Sequence, residues 1–262
     1  MKIFDLTPEQ EQLYFVCLED WSDEMAEAGD HKARWYERMK EKGLRVKLAS
    51  DDEGNIGGMI QYIPIEHSFV EGEDMNVILC IWVHGYKEGR GDFTGKGMGK
   101  ALLKAAEEDT KAAGKKGLVA WGVTVPFFMR ASWFKKQEYI KIDKNGITAL
   151  LWKPFSPDAV KPSLILKKKK PGKGKDSVNV DAFISGWCPA SNIVFERAKK
   201  ASAEFGDKVD FIIHDTVDRD VFNEWGIKDA LFVNGKEVNT GPPPSYEKIR
   251  GIIEKQVKRL RK

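Results

Sequence analysis

Three glycines at alternating positions in Phe93-Thr94-Gly95-Lys96-Gly97-Met98-Gly99-Lys100-Ala101-Leu102-Leu103 are the residues best placed to hold a phosphate-bearing ligand. From Met98 the apolar residues recur at Ala101, Leu102, Ala105 and Ala106, the spacing of a helix with one buried face. The glycines therefore lie at that helix's N-terminus. There the first backbone N–H groups have no partner in the helix and the macrodipole is positive, so main-chain donors can hold a pyrophosphate. Glycine lets the ligand approach the backbone closely.

Spacing separates the phosphate-binding designs that compete for these glycines. A Walker A loop needs G-x-x-x-x-G-K-[ST], but Ala101 follows Gly99-Lys100 and Thr94 occupies the earlier glycine position. A dinucleotide fingerprint needs G-x-G-x-x-G at the first turn of a βαβ unit, whereas Gly95-x-Gly97-x-Gly99 lies well inside the chain. The run Thr94 to Gly99 instead resembles the acyl-CoA loop of the GNAT acetyltransferase superfamily, usually [RQ]-x-x-G-x-[GA]. Thr94 stands where that family usually has Arg or Gln.

The resemblance implies a donor, acetyl-CoA, held at Thr94, Gly95, Lys96, Gly97, Met98, Gly99 and Lys100. It also implies an acyl thioester lying along the preceding strand at Ile81, Trp82 and Val83. Acetyl transfer needs a base or a water relay to neutralise the incoming ammonium, and donors for the tetrahedral oxyanion. His84 lies just past that strand and is the better single candidate, since histidine as a residue type serves as an acid or base near neutral pH, and Glu66 and His67 end the strand before it. The family's frequent general acid is a tyrosine in a Y-x-K-x-G-F pattern. Phe134 of Phe134-Lys135-Lys136-Gln137-Glu138-Tyr139 takes its place near the cofactor and carries no hydroxyl.

These residues must be positioned by a recognisable series of elements. Val77 to Val83 reads as a buried strand, Leu118 to Val125 as another, Met129 to Gln137 as a helix, and Tyr139 to Ile142 and Ile147 to Trp152 as strands. Upstream, Thr7-Pro8-Glu9-Gln10 reads as a capping box opening a helix with Leu13 and Val16. Arg45 to Ala49 and Gly57 to Ile65 flank the turn residues Asp51 to Asn55 as a hairpin. This order matches what the GNAT resemblance implies for residues 1–155, a mixed sheet with flanking helices.

Residues 156–176 carry Pro157, Pro162, Pro171, Gly172, Gly174 and the lysine run Lys167 to Lys170, the composition of a solvated linker. Over 177–262 the pattern restarts: Val178 to Phe183 as a strand, a helix carrying Val194, Ala198, Ala201 and Phe205, and a strand from Val209 to His214. A short helix near Asp220 to Trp225, a hairpin turning at Asn234-Gly235 and a last helix burying Ile249, Ile253, Val257 and Leu260 complete it. This resembles a small thioredoxin-like α/β domain, with Trp187-Cys188-Pro189 where that family has W-C-x-x-C. Ser191 replaces the second cysteine, and Gly226 to Leu231 lacks the family's proline.

The pairing resembles the YoaP-like acetyltransferases. That resemblance raises the acetyltransferase reading but brings no substrate; the expected reaction is direct transfer in a ternary complex to an amine of a small molecule or peptide, with the second domain assisting acceptor recognition. Cys188, beside Pro189 at a helix start, is a further catalytic candidate, because unpaired N–H groups there favour a thiolate. A competing class is a thiol-redox or adaptor protein acting through Cys188, with a CoA-sensing GNAT domain. Trp187 and Trp225 read as packing residues.

Composition narrows the rest. A formal net charge of +3 over 262 residues is not that of a polycation, and no aromatic residues interleave the lysine run, so nucleic acid is not expected as a partner. No apolar run approaches the ~18 residues that span a bilayer, and no leader pattern opens the sequence, so a cytoplasmic protein without a membrane partner is expected. Three cysteines and four histidines show no metal-ligand spacing, so no metal is expected. Oligomeric state has no signature in the sequence.

Overall fold

The computed structural model describes residues 1–125 and 128–260. In chain order the elements are β1 (Lys2–Asp5), α1 (Glu11–Phe15), α2 (Asp23–Ala26), α3 (His31–Lys40), β2 (Arg45–Ser50), β3 (Ile56–Pro64), β4 (Val70–Glu71), β5 (Met75–Val83), α4 (Met98–Ala112), β6 (Gly117–Val123), α5 (Ala131–Lys135), β7 (Ile140–Asn145), β8 (Thr148–Pro154) and β9 (Ser163–Leu164). Then follow β10 (Val178–Ile184), α6 (Pro189–Ala203), β11 (Val209–Asp215), α7 (Arg219–Trp225), β12 (Ala230–Val233), β13 (Lys236–Val238) and α8 (Tyr246–Leu260). The chain divides into two compact units, Met1–Trp21 with Glu37–Ile165, and Ser22–Tyr36 with Leu166–Lys262.

The first unit is built on a seven-stranded sheet in the order β1-β2-β3-β5-β6-β8-β7. Only β5 and β6 pair in parallel, and their ladder is short: Met75↔Gly117, Asn76↔Leu118 and Val77↔Val119. Beyond it, side chains span the gap. The Trp121 indole donates to the Leu79 carbonyl at 2.9 Å, and the Ile81 N–H points at the Met129 sulfur at 3.4 Å. The apolar stripe of α4 buries Met98, Leu102, Leu103 and Ala106 against Ile60, Tyr62, Ile78 and Leu118 of the sheet. Each large side chain so buried contributes about 1.5–3 kcal/mol.

The expected capping box does not form in the usual way. The Thr7 hydroxyl bonds the side chains of Glu9 and Gln10, and Pro8–Gln10 is a 3-10 turn before α1. That short helix ends at Phe15, and Cys17 and Leu18 just beyond it are both at positive φ. A two-stranded ribbon, β4 with β9, was not expected from the sequence, since strands of two residues carry no periodicity.

The second unit has a four-stranded sheet, β11-β10-β12-β13, with β10 and β11 parallel. Helices α6 and α8 cover one face, burying Val194, Phe195, Ala198, Ile249, Ile253 and Val257 against Val178, Val180 and Ala182. Residues 22–36 belong to this unit. Arg197 of α6 bonds Glu27 at 2.8 Å and Glu24 at 3.0 Å, and His31 lies 2.6 Å from Glu196. The lysine run is not simply solvated. Lys167 pairs with Glu237, Lys169 pairs with Glu224 and lies 4.1 Å over the Trp225 ring, and the Lys168 N–H bonds the Trp225 carbonyl. Alternate lysines of an extended strip face the same side, which lets them pair with one surface.

Candidate active site

Strand β5 delivers the centre of the site. Ile81 and Val83 pack against the core on the α4 side, so Trp82 between them projects to the opposite face, where its cross-strand partner is Met59. Past Val83 the chain turns through residues 84–93, anchored by buried Phe93 and by the Phe93 N–H bond to the His84 carbonyl.

The glycine loop then enters α4. Gly95 and Gly97 have φ of +74° and +87°, and Gly97 is the N-cap of the helix. An L side chain at Gly97 costs about 1–2 kcal/mol in that conformation. The first helical bond runs from the Ala101 N–H to the Gly97 carbonyl, leaving the amides of Met98, Gly99 and Lys100 without partners in the helix. Thr94 is different, because its N–H and hydroxyl both donate to the Asp92 carboxylate, at 2.8 and 2.6 Å. Those bonds hold the Asp92 carboxyl below its ordinary range. Thr94 shapes the turn rather than offering its amide. Met98 can offer only its amide, since its side chain is buried, and the Lys96 ammonium lies 4.8 Å over the Phe93 ring.

A residue the sequence reading missed completes this edge. A Cβ built on Gly99 would lie 3.4 Å from the Trp133 ring and 3.7 Å from the Val83 side chain, so the loop, strand end and α5 converge there. Phe134, expected beside the cofactor, is instead fully buried, packed on Trp133 and Tyr139. In a five-residue helix its neighbour Trp133 takes the position toward the loop.

The three catalytic candidates lie at separate places in the fold. Glu66 follows β3, which runs antiparallel to β5: Gly58 pairs with Val83, while Pro64 pairs with Asn76. Seven residues of strand, roughly 23 Å, therefore separate the Glu66 and His67 end from the Val83 end. His84 is at the right end but is buried with both nitrogens engaged. Nδ1 lies 2.8 Å from the Gly91 carbonyl, which only accepts, and Nε2 lies 2.9 Å from the Trp21 indole N–H, which only donates. This fixes the neutral tautomer with its proton on Nδ1. The remaining lone pair is occupied, so His84 cannot take a proton without breaking the Trp21 bond. Cys188 is the N-cap of α6 in the second unit, whereas the glycine loop is in the first.

Around His84 lies a chain of aromatic rings that sequence reasoning also missed. Ring centroids are 5.8 Å apart for Trp21 and Tyr86, 6.2 Å for Tyr86 and Trp82, and 5.9 Å for Trp82 and Phe128. Gly89, at positive φ, lets the Trp21 ring lie on the backbone: an added Cβ would be 1.9 Å from it. Among the described residues no group of three or more His, Cys, Asp or Glu side chains is placed to hold a metal, and no helix is long and apolar enough to cross a membrane.

Residues 5–137 match the acetyltransferase (GNAT) family, just over half of the chain. The chain belongs to that family. Its GNAT unit is thus that of an acyltransferase, an N-acetyltransferase. Solved GNAT structures match about three fifths of the chain. The PaiA N-acetyltransferase of Thermoplasma acidophilum, in complex with coenzyme A, is 20% identical, with a TM-score of 0.43 over 59% of this chain and 100% of its own. A GNAT acetyltransferase from Brucella melitensis in complex with acetyl-CoA is 15% identical, with a TM-score of 0.42 over 62% of this chain and 94% of its own. An aminoglycoside 6'-acetyltransferase type Ii is 16% identical, with a TM-score of 0.45 over 60% of this chain and 99% of its own. No curated protein matches the sequence significantly.

Proposed function

We propose that this GNAT enzyme moves the acetyl group of acetyl-CoA to an amine by direct attack in a ternary complex. The observation that carries this reading is the convergence of the left-handed Gly95 and Gly97, the free amides at the start of α4, and Trp133 on the Val83 end of β5. The amides of residues 95–100 hold the pyrophosphate. The acyl arm runs toward Trp82 and Val83 along the edge of β5 that β6 leaves unpaired, where the Ile81 N–H has only a thioether, a weak acceptor, to displace. The deprotonated amine attacks the thioester carbon, main-chain N–H groups of β5 steady the oxyanion, and the carbon–sulfur bond breaks to release the CoA thiolate. With His84 locked, the ammonium proton passes to water before attack, and the second proton, shed by nitrogen as the amide forms, passes to water or to the departing thiolate. Phe134 supplies no proton to the thiolate.

For the second unit we propose a YoaP-like, thioredoxin-like module that helps select the acceptor. Its order β10-α6-β11-α7-β12-β13-α8 and the position of Cys188 before Pro189 at the start of α6 support this. Ser191 in place of a second cysteine disfavours a self-contained redox cycle. We further propose that the enzyme works in the cytoplasm. The test is calorimetry with acetyl-CoA, together with CoA release across an amine library. A protein that neither binds acetyl-CoA nor releases CoA with any amine would refute the reading.

A further inference from the structure

On the face of β5 opposite α4, the rings of Trp21, Tyr86, Trp82 and Phe128 form a continuous wall at the strand's Val83 end. Trp21, Tyr86 and Phe128 are 41%, 44% and 39% exposed, although side chains of this size normally gain by burial. The wall is also held in place. The Trp21 indole is fixed by His84 on one side and by Gly89 on the other, and the Trp82 Nε1–H is buried with no acceptor among the described residues. The Tyr86 hydroxyl is raised first by burial and then by the Glu19 carboxylate. Arg90 bonds the Ile56 carbonyl and Asp20.

We propose that this wall is the acceptor subsite and that the acceptor is an arylalkylamine, a protonatable amine joined by a short alkyl chain to an aromatic ring. The inference rests on the acetyl-transfer reading above and names the substrate class of that site. The flat ring stacks on Tyr86 and Phe128, the ammonium is drawn by the ring faces, and Trp82 sets the amine at the strand where the thioester lies. A polyhydroxylated sugar amine would find few hydrogen-bonding groups here. An aliphatic polyamine would leave the rings wet.

The test compares 2-phenylethylamine with spermidine and a 2-deoxystreptamine aminoglycoside, by CoA release and by calorimetry on the full chain. The expected result is kcat/KM at least tenfold higher for phenylethylamine. Tyr86→Ala and Phe128→Ala should each raise its KM by about tenfold while acetyl-CoA affinity is unchanged. Equal or better turnover of spermidine or the aminoglycoside, or a KM for phenylethylamine that ignores both substitutions, would overturn the proposal and leave acetyl transfer standing. Phenylethylamine that is neither bound nor acetylated by protein that binds acetyl-CoA would overturn it too. Absence of acetyl-CoA binding would instead defeat the underlying reading.

Discussion

The Trp21 indole donates to Nε2 of His84 at 2.9 Å, so the histidine braces an aromatic ring with the lone pair that a base would need. His84→Ala should therefore leave Trp21 Nε1 and the Gly91 carbonyl unpaired, lowering stability by about 1–3 kcal/mol. Activity should fall mainly through a higher acceptor KM, with an unchanged pH-rate profile. Loss of an ionisation from that profile would restore His84 as the base.

Gly97 is the N-cap of α4 at φ +87°, and nothing lies within 4 Å of a Cβ built there. Gly97→Val should thus be folded at room temperature yet bind acetyl-CoA at least tenfold more weakly, since its side chain strains the cap and stands where the phosphate approaches. Calorimetry on the variant, with circular dichroism to confirm folding, measures this. Wild-type affinity would remove the loop from the site.

A polar network ties the first unit's sheet to α4: Tyr62 donates to Asp109 at 2.5 Å, and Lys47 lies 3.0 Å from Asp109 and 2.8 Å from Asp5. Burial alone would raise the Asp109 carboxyl, but the bonds from Tyr62 and Lys47 outweigh it and hold it below the ordinary value. Stability from this group is present above the unfolded carboxylate pKa of about 3.9 and is lost as pH falls through the lower folded value. Burial would lower Lys47, but its bonds to Asp5 and Asp109 raise it, so its share is present below the unfolded lysine pKa and lost as pH rises through the folded one. Asp109→Asn should flatten the acid limb of thermal stability between about pH 5 and pH 2. An unchanged limb would place acid sensitivity elsewhere.

Cys188 caps α6 in the second unit. In the full chain, Cys188→Ser should leave acetyl-CoA affinity and kcat near wild type and raise only the acceptor KM. Abolished transfer, or disulfide reductase activity that disappears with the thiol, would favour a redox role.

What could be read from the sequence was local. The glycine loop, the strand before it and the helix after it lie within a few dozen residues, and their spacing alone specifies a helix N-terminus at the end of a buried strand. Glu66 could not be placed that way, because a sequence shows where a strand ends but not which edge of the sheet that end reaches. Trp21 and His84 are 63 residues apart, and no periodicity links them. Trp133 and Phe134 were exchanged because α5 is too short for its buried face to show in the pattern.

Residues 22–36 are claimed by the second unit, and Glu24 finds Arg197 across 173 positions of chain. During synthesis this segment leaves the ribosome 173 residues ahead of the arginine that Glu24 pairs with, and must wait for it. Until then Trp35, buried in the finished protein, has no home, which makes this stretch a natural client for chaperones. A single cut near residue 165 cannot release either unit whole: the downstream piece lacks part of its own structure, and the upstream piece keeps an orphaned segment.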